Sequence, residues 1–128
     1  MRNKTKKILI TEDETLLRNA LGEKLRLEGF EVLAAENGQK GLELALAEHP
    51  DLILLDIIMP VMDGLTMLKQ LRQDAWGKTA PVILLTNLTA NDNIMPEVIE
   101  QQPAFYLVKT DWTLDKVVEK IKETLKID

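Results

Sequence analysis

KILITED, residues 7–13, places Glu12 and Asp13 directly after a short apolar run. The run LILLD ends on Asp56, and the run FYLVK ends on Lys109. Apolar runs of this length are typical of strands that are covered on both faces. If these strands are parallel neighbours, the four charged side chains meet at the carboxyl end of one sheet, where open α/β sheets build their sites. Clustered carboxylates favour a divalent cation with oxygen ligands, and a lysine beside them can hold an anion, which suits phosphoryl transfer.

The composition indicates one ordinary globular domain, with 128 residues and 45% hydrophobic content. The net charge of -5 argues against direct binding of nucleic acid, because phosphate backbones are bound through surplus Lys and Arg. The lack of cysteine excludes disulfides and thiolate metal sites. No apolar run resembles a signal peptide or is long enough to span a membrane. We therefore expect a cytoplasmic single domain over residues 1–128, with a flexible tail at 1–6 and no output domain after Asp128.

Strand-like runs alternate with helical patterns along the chain. Strands are predicted at residues 7–11, 31–35, 52–56, 81–86 and 105–109. Apolar residues at helical spacing mark four of the connecting helices: Leu17, Leu21 and Leu25; Leu42, Ala45 and Leu46; Leu65, Leu68 and Leu71; Leu114, Val117, Val118, Ile121 and Leu125. This alternation predicts a parallel sheet with right-handed crossovers.

The remaining helical segment, residues 89–101, contains Pro96. A proline inside a helix costs roughly 3 kcal/mol, because it removes a hydrogen bond and clashes with the preceding turn. We therefore expect a short helix with Pro96 in its first turn, ending near Gln101. Elsewhere, Gly29 is a predicted helix stop and Asn37 a predicted helix start.

Four segments together resemble the receiver domain of two-component response regulators, the CheY-like family. They are ILITEDE, LLDIIMPVMDG, VILLTN and FYLVK, in this order and at these separations. The resemblance covers essentially the whole chain. It implies a flavodoxin-like (βα)5 fold, a doubly wound parallel sheet with strand order 2-1-3-4-5. It also implies transfer of a phosphoryl group to an aspartate from the phosphohistidine of a histidine kinase or from a phosphotransfer protein.

The resemblance also implies roles for single residues. Asp56 matches the phosphoacceptor, whose carboxylate forms an acyl phosphate. Asp13 matches the direct Mg²⁺ ligand and Glu12 a ligand that acts through water, while the backbone carbonyl of Ile58 completes the protein's share of the coordination. Lys109 matches the residue that pairs with the phosphoryl oxygens in the transition state.

Two further positions match the switch of the family. Thr86 corresponds to the hydroxyl that donates to a phosphoryl oxygen, and Tyr106 to the aromatic ring that turns inward as the threonine moves. The implied output surface is helix 4 with strand 5 and helix 5, where a target or a second copy of the chain could bind. Simpler interpretations remain open: Thr86 as the β-branched end of a strand, Tyr106 as a half-exposed strand residue, and Asp13 as a helix N-cap.

Two other polar residues are interpreted as structural. His49 stands before Pro50 at the end of a helical pattern, where a cap on the last turn is favoured. Asp63 precedes Gly64, and this pair has turn chemistry rather than a catalytic arrangement.

The sequence departs from the family pattern near the site. Thr110 follows the lysine, where the family usually has proline in a cis peptide, and Asn87 stands where the family usually has a smaller residue. In the family that the chain resembles, the residues two after the aspartate and two after the threonine help to place the water that attacks phosphorus. Here they are Ile58 and Leu88, which can neither accept from nor donate to a water molecule. We therefore expect a phosphorylated state that hydrolyses slowly, because the attacking water is poorly oriented.

Other functional classes are weaker matches. A phosphohydrolase of the haloacid dehalogenase type needs a second acid two residues after the nucleophile, where Ile58 stands. A flavodoxin-like cofactor binder needs a phosphate loop after the first strand, where the acidic TEDET, residues 11–15, would repel phosphate. A receiver-shaped interaction protein that never handles phosphate remains an alternative, although Glu12, Asp13, Asp56 and Lys109 count against it.

Overall fold

The computed structural model describes residues 5–88 and 93–128, so residues 1–4 of the predicted tail lie outside the described part. The helices and strands follow one another as β1 (Lys7–Thr11), α1 (Thr15–Leu27), β2 (Glu31–Ala35), α2 (Gly38–Glu48), β3 (Leu52–Leu55), α3 (Gly64–Leu71), β4 (Val82–Thr86), α4 (Met95–Glu100), β5 (Phe105–Val108) and α5 (Leu114–Leu125). A 3-10 turn, Lys109–Asp111, follows β5. Within the described ranges, no helix has the length and apolar character needed to cross a membrane.

The five strands form one parallel sheet in the order β2-β1-β3-β4-β5, which confirms the predicted fold. β1 lies between β2 and β3, and Thr11 at its carboxyl end is in register with Leu55 at the end of β3. In β4 and β5 the corresponding pair is Thr86 and Val108. The chain leaves all of these strands at the same edge of the sheet, so the loops that carry the predicted site residues are neighbours.

The core lies on both faces of the sheet, because alternate residues of each buried strand point to opposite sides. On one face, Leu9, Ile53 and Leu84 pack with α2 and α3; on the other, Ile8, Leu54 and Ile83 pack with α1 and α5. All four residues of β3 are buried, and so are all five of β4. Strands covered on both faces explain why the chain shows continuous apolar runs rather than alternation.

The predicted apolar helix faces are largely confirmed, with one error in α2. Leu21 and Leu25 are buried in α1, and Val117, Val118 and Ile121 are buried in α5. In α2 the prediction for Leu46 is wrong, because this side chain is 38% exposed. The buried residues of α2 are instead the small ones: Gly38, Gly41 and Ala45. A Cβ atom on Gly41 would lie 2.7 Å from the Thr11 side chain, so the helix packs too closely on β1 for a larger residue.

The helix ends follow the local sequence signals. The Asn37 side chain accepts a hydrogen bond of 2.9 Å from the Lys40 amide at the start of α2, and Gly29 has a positive φ of 96° after α1. His49 caps α2 in a left-handed conformation, and its ring stacks on Trp76 with 4.3 Å between the ring centroids. The predictions of Asn37 as a helix start, Gly29 as a helix stop and His49 as a helix cap are therefore confirmed.

Helix α4 is short, as the position of Pro96 predicted. It runs from Met95 to Glu100, with Pro96 in its first turn and Gln101 as its C-cap, while residues 89–92 of the predicted segment lie outside the described part.

Arg72, at the end of α3, holds the C-terminal end of α4. Its Nε donates to the Gln101 carbonyl at 2.8 Å, and its Nη1 donates to the carbonyls of Gly77 and Ala80 at 2.8 and 2.7 Å. Burial lowers the pKa of the Arg72 guanidinium from its ordinary value, and these carbonyls supply the partners that a half-buried cation needs.

Candidate active site

The loop after β1 presents two of the predicted acidic residues. The Glu12 amide donates to the Ala35 carbonyl at 3.0 Å, which extends the pairing with β2 by one residue. Arg18 of α1 reaches back and donates from Nη1 to the carbonyls of Glu12, at 2.8 Å, and Asp13, at 3.3 Å. The helix that follows the strand therefore holds the acidic loop in place.

Asp56 follows β3 directly and is only 4% exposed. Strand β3 ends one residue before Asp56 and β5 one residue before Lys109, whereas the sequence predicted both residues as the last of their strands. The Asp56 amide donates to Thr11 at 3.0 Å, and the Gly64 amide at the start of α3 donates to Ile57 at 2.8 Å. A Cβ atom on Gly64 would lie 2.0 Å from the Asp56 carbonyl oxygen, so α3 starts in direct contact with the backbone of Asp56.

Asp63 is structural, as predicted. Its carboxylate caps α3, accepting from the Thr66 amide at 2.8 Å and from the Thr66 hydroxyl at 2.9 Å. In the same loop, the Met62 amide donates to the Pro60 carbonyl at 2.7 Å across Val61, which has a φ of 67° and is 81% exposed. The loop therefore turns sharply between Asp56 and α3 and is capped before the helix begins.

Lys109 joins the acidic residues at the centre of the site. Its Nζ lies 2.8 Å from Glu12 Oε1, 2.9 Å from Asp56 Oδ2 and 2.9 Å from Glu14 Oε1. The lysine side chain is 10% exposed, and those of Glu12 and Asp56 are 3% and 4% exposed. The structure thus brings together residues that lie up to 97 positions apart in the sequence, as the sheet order predicted.

The pKa values of Glu12 and Lys109 are both raised, but for different reasons. Burial raises the pKa of the Glu12 carboxyl above its ordinary value, and this effect exceeds the lowering by its hydrogen bond with Lys109. For Lys109, burial acts to lower the pKa, but the hydrogen bonds to Glu12, Asp56 and Glu14 raise it well above its ordinary value. The lysine is therefore a permanent cation in the site at neutral pH.

The carboxylates of Glu12, Asp13 and Asp56 form a cluster that suits a metal ion. One oxygen from each lies within 4.8 Å of the others, with Asp13 exposed and the other two buried. Carboxylate oxygens are the ligands that hard cations such as Mg²⁺ prefer, and the exposed side of the cluster leaves room for water ligands. The cluster therefore has the ligand chemistry of a divalent-cation site.

A shallow depression of about 160 Å³ lies beside this cluster. It is lined by Asp13, Glu14, Asp56, Ile58, Asn87 and Lys109. Ile58 is 56% exposed, and its amide donates to Asp56 Oδ1 at 3.3 Å. A small anion entering here would meet the Lys109 ammonium beside the Asp56 carboxylate.

The two predicted switch residues both contact the loop after β4. Thr86 is fully buried, and its Oγ1 accepts from the Leu88 amide at 3.2 Å. The Tyr106 hydroxyl donates to the Leu88 carbonyl at 2.6 Å. Burial raises the pKa of Tyr106, with a smaller contribution from the charge of Asp56. Leu88 packs against the core cluster around Leu84 rather than lining the depression.

Two residues of the site were not predicted, and the interpretation of Asp13 as a helix N-cap is resolved. These residues are Glu14 and Arg18. Neither stands at the end of an apolar run, so the pattern that marks the other site residues does not mark them. The N-cap of α1 is Glu14 and not Asp13, and the Glu14 side chain makes no capping bond within the described residues. No cis peptide occurs in the described ranges, so the Lys109–Thr110 bond is trans, and Lys109 nevertheless reaches Asp56.

Comparisons with known proteins agree with this arrangement. The family model described as response regulator receiver domain matches residues 8–122. The chain is 35% identical over 121 residues to the chemotaxis protein CheY of Bacillus subtilis, covering 93% of this chain and 97% of that protein. It is 38% identical over 88 residues to a probable transcriptional regulator ycf27 of Porphyra purpurea, covering 69% of this chain but only 35% of that protein. The chain thus spans about a third of the length of that relative.

Solved structures show the same likeness. The chemotaxis protein CheY4 of Vibrio cholerae superposes with a TM-score of 0.86 at 26% identity, covering 94% of this chain and 99% of the other. A CheY-like receiver domain protein of Methanospirillum hungatei superposes with a TM-score of 0.88 at 28% identity, covering 96% and 95% of the two chains.

Proposed function

Because the chain belongs to the response regulator receiver family, we propose that it is a signalling switch that accepts a phosphoryl group on Asp56. The donor is the phosphohistidine of a histidine kinase or of a phosphotransfer protein. The observation that carries this proposal is the 2.9 Å contact between Lys109 Nζ and Asp56 Oδ2 inside an acidic cluster. A buried carboxylate that contacts a cation, and that belongs to a cluster of carboxylates able to hold a metal ion, can act as a phosphoryl nucleophile.

The bound metal in this proposal is Mg²⁺. Asp13 and Asp56 would contribute carboxylate oxygens, Glu12 would act through a water ligand, and the backbone carbonyl of Ile58 would complete the set. Two of these acids are buried and one is exposed, which supports an ion that keeps part of its water shell. When bound, the ion supplies positive charge that stabilises the phosphoryl oxygens.

The protein's own groups account for the rest of the chemistry. The Asp56 carboxylate forms a bond to phosphorus while the bond from phosphorus to the donor's histidine nitrogen breaks, and that nitrogen keeps the electron pair. Lys109 remains protonated because its pKa is raised, so it can donate to a phosphoryl oxygen throughout the transfer. The backbone of Asp56 is held by β1 and by the start of α3, which fixes the nucleophile for in-line attack.

The readout in this proposal is a change at helix α4, strand β5 and helix α5. Thr86 would turn its hydroxyl to the phosphoryl group, and Tyr106 would follow. The shared contact of both residues with Leu88 supports this coupling. A downstream protein, or a second copy of the chain, would bind the altered surface.

The test is the intact mass of the protein before and after incubation with acetyl phosphate or phosphoramidate and Mg²⁺. We expect a gain of one phosphoryl group in the native chain, no gain in Asp56→Asn and an unchanged gain in the matched variant Asp63→Asn. A phosphoryl group on Asp56→Asn would show that another residue is the nucleophile. No gain in the native chain would favour an interaction module that does not handle phosphate.

A further inference from the structure

The ammonium group of Lys109 is surrounded by three carboxylates in the part of the chain that the structure describes. An ammonium carries three N–H groups. Lys109 Nζ donates to Asp56 Oδ2 and to Glu14 Oε1 at 2.9 Å each, and Glu12 Oε1 lies 2.8 Å from it as an ion pair. An anion that is to bind this lysine must therefore replace one of them. The proposed function requires such an anion, a phosphoryl oxygen on Asp56.

The three contacts of Lys109 differ in the free energy that it costs to break them. Glu12 and Asp56 have side chains that are 3% and 4% exposed, whereas that of Glu14 is 56% exposed. In the proposed function Asp56 carries the phosphoryl group and so stays beside the lysine, and a buried Glu12 that lost its cation would leave an uncompensated charge in the interior. An exposed carboxylate returns to water, and its ion pair is worth only about 0.2 to 1 kcal/mol. Glu14 is thus the partner that leaves.

We propose that Glu14 is a positioning residue that occupies, in the resting state, the place of the phosphoryl oxygen on Lys109. This inference rests on the proposed function and names a regulator of the same site. Glu14 keeps the ammonium turned into the site before the anion arrives, and it competes with that anion for the same N–H donor. It acts through Lys109 and does not take part in bond formation.

The position of Glu14 makes it removable without damage to the fold. Its backbone carbonyl starts α1 by accepting from Arg18, and its amide donates to Glu12 Oε2 at 3.0 Å, so neither bond involves its side chain. Replacing the carboxylate by the amide in Glu14→Gln therefore keeps the helix start. Glu23→Gln is the matched control, since Glu23 is an exposed glutamate on the same helix.

The experiment is a titration with beryllofluoride, a phosphoryl mimic, at saturating Mg²⁺, followed by the amide NMR signals around Asp56. We expect Glu14→Gln to bind the mimic about 1.4- to fivefold more tightly than the native chain, which is the factor that corresponds to an exposed ion pair. Glu23→Gln should bind like the native chain. Equal or weaker binding by Glu14→Gln would overturn the inference.

A second readout needs neither metal nor mimic. In the metal-free native chain, the side-chain ammonium protons of Lys109 should exchange slowly with water, because the ammonium donates to Asp56 and Glu14, pairs with Glu12 and has a side chain that is only 10% exposed. In Glu14→Gln they should exchange faster while the backbone spectrum is otherwise retained, and an unchanged exchange rate would again contradict the inference. If the native chain does not respond to beryllofluoride at all, the proposed function fails and this inference fails with it, whereas a native response without a difference in Glu14→Gln refutes the inference alone.

Discussion

The Tyr106 hydroxyl and the main chain of Leu88 are joined by a hydrogen bond of 2.6 Å. The amide of the same Leu88 donates to Thr86 Oγ1. A change at either switch residue therefore alters the bonding of one residue in the loop after β4. If Thr86 rotates toward a phosphoryl group, the Leu88 amide loses its acceptor. Leu88 can then move, and any such movement changes the hydrogen bond between its carbonyl and the Tyr106 hydroxyl.

This connection predicts which signals change on activation. With beryllofluoride and Mg²⁺, we expect amide NMR shifts at Leu88 and along α4 and β5, not only around Asp13 and Asp56. Thr86→Val, which keeps the shape but removes the hydroxyl, should still bind the mimic while losing the distant shifts. Tyr106→Phe should lower the free energy of unfolding by about 1 kcal/mol, the usual worth of one such hydrogen bond. Shifts confined to the site loops in the native chain would contradict the coupling.

The exposed side chain of Ile58 predicts a slow loss of the phosphoryl group. Ile58 lines the depression beside Asp56 and offers no group to orient an attacking water. We expect Ile58→Asn to accelerate first-order decay on the order of tenfold, equivalent to about 1.4 kcal/mol of barrier. Val61→Asn is the control, because Val61 is exposed in the same loop but does not line the depression.

Leu88→Glu is a less direct test of the same idea. Leu88 packs against the core, so this variant requires a parallel measurement of stability. Decay that stays at the native rate in a folded Ile58→Asn would refute the explanation through water orientation.

The buried carboxyl of Glu12 predicts a pH dependence of stability in the metal-free protein. Its pKa is raised in the folded state, chiefly by burial, so the folded chain holds this proton more tightly than the unfolded chain. The contribution of Glu12 to the free energy of unfolding therefore falls as pH rises above about 4.5, the ordinary value, through the folded pKa. Glu12→Gln should become more stable relative to the native chain over this interval, measured by urea unfolding. Glu23→Gln should run parallel to the native chain, and a parallel curve for Glu12→Gln would contradict the prediction.

The bonds of Arg72 predict a large effect from a residue far from the site. Arg72 satisfies carbonyls at the end of α4 and in the loop before β4. Arg72→Met should lower the free energy of unfolding by about 3 kcal/mol, because hydrogen bonds from charged groups are worth roughly 1.5 to 3 kcal/mol and the carbonyls would be left unpaired. Arg26→Met, at an exposed position of α1, should change stability by less than about 0.5 kcal/mol. Similar losses in the two variants would show that Arg72 does not anchor α4.

The sheet and most of the site could be predicted from the sequence because local sequence patterns mark both of them. Continuous apolar runs mark buried parallel strands, and the polar residue that follows each run must lie at the carboxyl edge. Asp56 and Lys109 were placed correctly for this reason, although each stands just outside its strand. Leu46 was placed wrongly, because spacing alone does not reveal that α2 approaches β1 through glycine and alanine.

The unpredicted contacts depend on three-dimensional proximity. The ion pair of Glu14 with Lys109 spans 95 residues, and Glu14 belongs to an acidic stretch in which no local pattern distinguishes one acid from the next. Arg72 reaches carbonyls up to 30 residues away, and an arginine at a helix end is ordinarily a solvated residue. Contacts of this kind are set by how the helices pack, so only the folded chain shows them.

The contact of Gly64 with the backbone of Asp56 has a consequence for the mutational tolerance of this loop. The constraint at position 64 is one of volume, since any Cβ atom would overlap a backbone oxygen that cannot rotate away. At the neighbouring position 63, the requirement is only for a side chain that can accept a hydrogen bond from the helix amide, which Ser, Thr and Asn also meet. In a library that samples both positions, selection for folded protein should return several residues at 63 and glycine alone at 64.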